Sequence, residues 1–392
     1  MKEKLFAYIR GAKAVMMMNL LKVFWILPVK KENILFLSFD GKQYSDSPKY
    51  ICEYVREKEG DGKNYIWALN EPEKFAKVLP EWVKPVKRRG LSFLLQFVRA
   101  KTIIMNNPIN SYYPVRKKQI VLNTWHGGGF GKTTGMAEES STYYDRIFFK
   151  IQERKYTAFL SSSRHMTVNV IRKSMGYRKT ILPYGMPRNA ILFTEDTSEI
   201  RKKVLEYFGL PQDEERGLVL YAPTFRGSVT DGAFIRDEDA IDIHRVLDTL
   251  KAVTGREYLF LFRAHHAMKM KDYGPLALNA SDYPDMQELL CASDYLITDY
   301  SSCMTDMALT NKPVFLYAPD LEEYTRNRGF YLDFHELPFP IAENNDQLTD
   351  VITTFDDALY REKLKGYFDR LKSYDGPQST ALVYQWLKDK WE

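Results

Sequence analysis

Short apolar runs rich in β-branched and aromatic residues recur along the chain. Most end in a polar loop bearing glycine, serine or asparagine. NILFLSF (33–39), NYIWAL (64–69), KTIIMNN (101–107), QIVLNTWHGG (119–128), YTAFLSSS (156–163) and KTILPYG (179–185) have this form. Such runs predict strands buried on both faces. Between them lie helical stretches at about 48–58, where Pro48 suits a first turn, at 91–99, and between 163 and 179. The pattern then restarts. A charged helix over 197–208 leads through the turn-rich PQDEERG to GLVLYAPTFRG (217–227). A helix at VLDTLKAVTG, a strand at EYLFLFRAHH (257–266), a helix at 286–293 and a strand at DYLITDYSS (294–302) follow. SCMTDMALTN predicts a helix, KPVFLYAPD (312–320) a strand, and 345–392 a helical tail. Strands alternating with helices imply doubly wound parallel sheets. Two such runs imply two Rossmann-like halves with a boundary near 190–215.

The chain has 392 residues, 45% of them hydrophobic, enough for two cores. Its three cysteines are scattered and contain no CxxC pair, so a disulfide framework or zinc finger is not expected, and a reduced compartment is. Charge changes the picture more. The 56 basic and 51 acidic residues leave +5, but the first 31 residues hold seven basic residues against Glu3 alone. A near-neutral body with a basic arm argues against nucleic-acid binding.

In that arm, LFAYIRGAKAVMMMNLLKVFWIL (5–27) is strongly apolar, yet Arg10, Lys13 and Lys22 interrupt it and keep every uncharged run too short to span a bilayer. No small-residue cleavage site follows, so a leader is not expected. Lysine and arginine mixed with Met, Leu, Phe and Trp predict an amphipathic helix on an anionic membrane surface, with an ordinary packed first helix as the alternative. KPVKRRGLSFLLQFVRAK (84–101), with six basic and no acidic residues, fits either a core-facing helix or a patch facing membrane or acceptor.

In open α/β sheets ligands gather where strands end, so the loops after strands hold the candidate chemistry. TWHGGGFGKTTG (124–135) resembles a P-loop, but residue 126 is histidine where a Walker A sequence has its first glycine. What remains is His126 at a strand end, in a loop that allows close backbone approach, suited to a general base. RAHH (263–266) puts Arg263 and His265 at alternating positions, able to converge on one anion. Zinc held by His126, His265 and His266 is the alternative, without a supporting carboxylate pattern. TDYSS (298–302) places Ser301 and Ser302 at a helix start, where free N–H groups attract phosphate or the serines merely cap, and Asp306 lies one turn on. YAPTFR (221–226) offers Thr224 and Arg226, and YGMPRN (184–189) offers Gly185, Arg188 and Asn189 in a turn.

These strings together resemble the CDP-glycerol glycerophosphotransferase family, which makes teichoic acids and related phosphopolyol polymers of Gram-positive bacteria. The matching pieces are FDGKQYSDSPKYICEY (39–54), NTWHG (123–127), YGMPRNAILF (184–193), YAPTFR, RAHH and the long stretch SDYLITDYSSCMTDMALTNKPVFLYAPDLEEYTRNRGFYLDF (293–334). The loop after His126 and the presence of His266 where proline is common depart from the family pattern. The resemblance implies an α/β, GT-B-like fold, two Rossmann-like domains facing a central cleft. It divides the chain into a basic arm (1–31), an acceptor domain (32–195) and a CDP-donor domain (196–392) whose last helices can pack back on the first. It implies transfer of glycerol phosphate from CDP-glycerol to a hydroxyl of a lipid-linked glycan or polyol-phosphate acceptor, with release of CMP and without metal or other cofactor. His126 is then the base, with His265 and Arg263 as its catalytic partners at the donor phosphates. Thr224, Arg226, Ser301, Ser302, Asp306, Thr298 and Arg188 fall to the donor, and Asp40, Lys42, Asp46, Gly127 and Gly128 to the acceptor. The enzyme is expected at the cytoplasmic face of the membrane, peripherally held. A CDP-ribitol transferase of the same fold, a nucleotide-sugar GT-B glycosyltransferase and a non-catalytic scaffold with a vestigial pocket are the competing readings.

Overall fold

The computed structural model describes residues 2–127, 131, 133–138, 141–224, 240–263 and 277–392. These form two compact units. The first comprises Met1–Gly127, Thr133–Ala190 and Ser373–Glu392; the second comprises Ile191–Lys372 and takes in Gly131. The last 20 residues therefore belong with the first unit.

The first unit is built on seven parallel strands: β1 (Lys30–Leu37), β2 (Asn64–Leu69), β3 (Val83–Lys87), β4 (Ala100–Met105), β5 (Ile120–Asn123), β6 (Ala158–Leu160) and β7 (Thr180–Leu182). Their order is β3-β2-β1-β4-β5-β6-β7. Ile34 pairs with Tyr65 on one side and Thr102 on the other. The apolar cores of β2 and β5 are buried, as parallel strands covered on both faces must be. Helices α1 (Lys2–Leu21), α2 (Asp46–Glu59), α3 (Leu91–Arg99) and α4 (Tyr143–Lys155) belong to this unit. A capping box of Thr142 and Asp145 starts α4.

The basic segment 84–101 is divided by the fold. Its first residues form edge strand β3, and Phe93, Leu94, Phe97 and Val98 of α3 are buried, so its apolar stripe is core. The arm also takes a form that periodicity did not give. Small residues Ala7 and Gly11 are the buried positions of α1. The Tyr8 hydroxyl bonds that of Tyr143 at 2.7 Å, and Arg10 lies 4.1 Å over the Tyr144 ring, tying α1 to α4. Leu5, Phe6, Ile9, Met16 and Leu20 are exposed instead of core-facing, with Phe6 at 71%. Exposed Lys4 and Lys13 are interspersed with them, so the helix is not sorted into one apolar and one polar face.

The second unit has six parallel strands: β8 (Gly217–Ala222), β9 (Tyr258–Phe262), β10 (Ala277–Asn279), β11 (Tyr295–Thr298), β12 (Val314–Tyr317) and β13 (Ile341–Ala342), ordered β10-β9-β8-β11-β12-β13. Its helices are α5 (Ser198–Tyr207), α6 (Ile243–Thr254), α7 (Met286–Ala292), α8 (Cys303–Ala308), α9 (Leu321–Arg328), α10 (Asn345–Thr353) and α11 (Asp357–Leu371). The final helix α12 (Ser379–Trp391) returns to the first unit. Apolar clusters fill both faces of the second sheet. Asp242 accepts the Arg245 N–H at the start of α6.

Both sheets reverse their winding once, between β1 and β4 and between β8 and β11. A crevice opens beyond the carboxyl ends of the strands at such a switch point.

Candidate active site

In the first unit the loops after β1, β4 and β5 converge at the switch point. His126 follows β5. Its Nδ1 lies 2.9 Å from the backbone carbonyl of Asn106, just past β4. A carbonyl only accepts, so Nδ1 carries the proton and Nε2 keeps its lone pair. The ring stacks on Trp125 with centroids 4.6 Å apart and meets the edge of Phe39 at 5.5 Å. Burial lowers the His126 pKa below 6.5; the Asn106 bond and Asp46 oppose that shift and Arg188 adds to it. At neutral pH the imidazole is an uncharged base.

The backbone here is unusual. Phe39, Asp40, Asp46 and Trp125 all have φ between 46° and 62°, a region non-glycine residues avoid. Such strain persists only where neighbours hold it. The Asn106 side chain accepts the Phe39 N–H at 2.7 Å and donates to Ser38 Oγ at 3.2 Å. Asp40 Oδ1 accepts two bonds from Arg88, at 3.0 and 2.7 Å, and Arg88 itself is 1% exposed. The Asn123 side chain accepts the Trp125 N–H at 2.8 Å. Arg188 Nη1 reaches both carboxylate oxygens of Asp46 at 3.4 Å and donates to the His126 carbonyl at 3.1 Å. Lys42 is exposed beside this cluster, and Gly127 follows His126 directly.

In the second unit, Asp299 bridges the switch point: its carboxylate accepts the Thr224 N–H at 2.8–2.9 Å, joining the loops after β8 and β11. Thr298 Oγ1 donates to the Ala222 carbonyl at 2.7 Å, reinforcing the same join. Ser302 is the residue before α8, with Ser301 preceding it. Asp306 is buried and accepts from Gln287 Nε2 at 3.0 Å. Tyr300 stacks on Tyr324 at 3.7 Å, and the Tyr331 N–H binds the carbonyl of Gly131 at 3.0 Å. Arg263 directly follows β9, with Nη1 donating to the carbonyls of Ala280 and Tyr283, at 3.1 and 2.7 Å.

The structure thus gathers His126, Asp40, Lys42, Asp46, Gly127 and Arg188 in the first unit, and Thr224, Thr298, Ser301, Ser302, Asp306 and Arg263 in the second. His265, His266, Arg226 and Gly128 lie outside the described residues. Arg188, expected at the donor, belongs to the His126 cluster. Sequence reasoning passed over Asn106, Asn123 and Asp299. Each is a polar residue at or just beyond a strand end, and that position was the available signal. Among the described residues no group of three or more His, Cys, Asp or Glu could hold a metal ion.

The model of the family described as CDP-glycerol:poly(glycerophosphate) glycerophosphotransferase matches residues 19–388. The chain belongs to this family. A teichoic acid poly(glycerol phosphate) polymerase of Staphylococcus epidermidis is 31% identical over 91% of the chain, and the chain spans 50% of that relative's length. For the polymerase of Bacillus subtilis the corresponding share is 48%, so the chain spans about half the length of these curated relatives. A teichoic acid poly(glycerol phosphate) polymerase of Bacillus spizizenii is 28% identical over 99% of the chain and 100% of its own length. Among solved structures, a histidine variant of the wall teichoic acid polymerase TagF soaked with CDPG has a TM-score of 0.78 and 28% identity, covering 100% of both chains. The likeness takes in both Rossmann-like units, and the fold is α/β of the GT-B-like class.

Proposed function

We propose that the chain transfers glycerol phosphate from CDP-glycerol to a hydroxyl of a polyol-phosphate or lipid-linked acceptor in the synthesis of teichoic acid or a related polymer. The observation that carries this is His126, held with Nδ1 on the Asn106 carbonyl at 2.9 Å and Nε2 left as the basic nitrogen at a switch point. The acceptor oxygen attacks the β-phosphorus of the donor, the bond from that phosphorus to the CMP oxygen breaks, and CMP departs with the electron pair. Nε2 takes the hydroxyl proton. The loops joined by Asp299, with Ser301, Ser302 and the start of α8, suit the donor phosphates. Arg263 adds positive charge there. Positioning and cationic stabilisation supply most of the catalysis in such transfers. Membership of the family and the CDPG soaked into the TagF variant support CDP-glycerol as donor.

The exposed apolar residues of α1 serve, on this reading, to hold the enzyme on the cytoplasmic face of the membrane beside a lipid-linked acceptor. The turn after α1, Lys22–Ile26, exposes Val23 and Ile26, the latter at 88%. Arg116 fixes this turn by donating to the carbonyls of Phe24 and Leu27. Apolar tips among lysines suit an anionic surface. No helix of the described residues is long and apolar enough to cross a membrane.

His126→Asn is expected to lower acceptor-dependent CMP release from CDP-glycerol by about 10²–10⁴-fold with an unchanged circular-dichroism spectrum. Turnover within tenfold of wild type would reject the base, and faster turnover with CDP-ribitol would reject the donor. Replacing Leu5, Phe6, Ile9 and Leu20 together by serine is expected to abolish flotation with phosphatidylglycerol vesicles while sparing activity on a short soluble acceptor. Undiminished flotation would reject the membrane role.

A further inference from the structure

We infer that Asp46 and Arg188 are positioning residues, a buried ion pair that clamps the His126 loop and sets the charge around its imidazole. Arg188 lies in the helical segment Pro187–Phe193 and is 2% exposed; Asp46 is the first residue of α2 and is 6% exposed. Side chains so enclosed, and already paired with each other, are poorly placed to meet a substrate phosphate or hydroxyl. Instead, one Arg188 nitrogen serves three acceptors: two Asp46 oxygens at 3.4 Å and the His126 carbonyl at 3.1 Å.

The geometry explains how two strained loops coexist. Trp125, just before His126, has φ 55°, and Asp46 has φ 62°. Arg188 grips the backbone one residue after the first and the side chain of the second. Its Nη1 offers two N–H groups fixed in the guanidinium plane to these acceptors, whereas a lysine ammonium is a point charge on a flexible stem. Gly185, three residues earlier, anchors the same segment by donating its N–H to the Ser161 carbonyl. The Met186 N–H adds a bond to Asp375 Oδ1 at 2.7 Å. The clamp therefore stands on a firm support.

The pair also acts on the imidazole through charge. Asp46, from α2, favours the protonated ring, and Arg188, from the 187–193 segment, disfavours it. The other neighbours named above, Phe39, Asn106 and Trp125, are uncharged. The two charges act in opposite directions on the ring, and burial, the largest influence, keeps His126 a neutral base. Removing either one uncovers the other.

This inference rests on the proposed function only for its kinetic consequence, because the ring can be titrated directly. The chain has six histidines, and the His126 signal is assigned as the one lost from the imidazole NMR spectrum of His126→Asn. In Asp46→Asn the His126 titration is expected about one pH unit lower, and in Arg188→Met about one unit higher. A purely structural pair gives no such opposite displacement. Shifts in the same direction, or none, overturn the inference. Arg188→Lys keeps the charge and decides the matter if Arg188→Met does not fold. It is expected to titrate as wild type, with kcat of CMP release down about tenfold and KM for CDP-glycerol unchanged. A raised KM with unchanged kcat would instead make Arg188 a substrate contact and overturn the clamp. If His126→Asn retains full CMP release, the base reading fails while the two titration shifts still test the clamp.

Discussion

Gly185→Ala tests whether the returning C-terminal segment really fixes the loop that carries Arg188. Gly185 has φ 76°, which an alanine adopts at about 1–2 kcal/mol. A methyl group there would also stand 2.7 Å from Asp375 Cα and 2.7 Å from the Tyr374 carbonyl oxygen, both backbone atoms. That segment cannot move aside freely. The Tyr374 N–H binds the Ser162 carbonyl at 2.7 Å, and Thr380 Oγ1 binds the Pro187 carbonyl at 3.1 Å. Forcing a methyl group into such a place adds about 1–3 kcal/mol. The sum, about 2–5 kcal/mol, corresponds to a melting point roughly 10 °C lower for a unit of this size. Gly176→Ala is the control within the same unit. Its φ is 67°, but the nearest atom to its added methyl is the flexible end of Met136, at 3.2 Å. It carries the conformational part alone and should melt roughly 4 °C lower. The assay is thermal unfolding followed by circular dichroism, with acceptor-dependent CMP release measured on the same samples. Gly185→Ala should also lose activity, because Arg188 follows three residues later. A melting point no lower than that of Gly176→Ala would show that the returning segment yields, and the steric reasoning would fall.

Two further outcomes are expected. Because burial lowers the His126 pKa below its ordinary 6.5, the unfolded chain binds that proton more readily than the folded one. Its contribution to stability is therefore full above pH 6.5 and is lost as pH falls below 6.5, levelling off under the lowered value. Urea unfolding at pH 7.5 and 5.5 should show a smaller pH dependence in His126→Asn than in wild type, and an equal dependence would contradict the assignment. Asp299→Ala, which leaves the Thr224 N–H without its carboxylate, should lower stability by about 2 kcal/mol and raise KM for CDP-glycerol roughly tenfold. A KM within twofold of wild type would remove Asp299 from the donor site.

Much of this fold is written locally. NYIWAL reads as a buried strand because a strand covered on both faces needs an unbroken apolar run, and Asn64–Leu69 is that strand. Leu91–Arg99 reads as a helix with equal clarity because its apolar residues repeat at helical spacing. The strand-end loops, and His126 among them, follow from the same alternation. Where a segment's own pattern is weak, the sequence says less. Strand β3, Lys84 and Pro85 included, reads in sequence only as the start of a basic helix or patch, since an edge strand buries only some of its residues. Strand β10 has three residues and no pattern to detect.

The arm shows the limit most plainly: its apolar side chains predict a helix but not which of them the body covers, and α4 takes the small ones. The site shows it again. Nothing near Asp46, Asn106, His126 or Arg188 in the sequence announces that they meet, because each belongs to a different βα connection. Hydrophobic periodicity reports how a segment is buried, which is a property of that segment. The proton on Nδ1 and the charge pair beside the ring depend on strand order and on how far each loop is turned, and only the packing of the whole unit determines those.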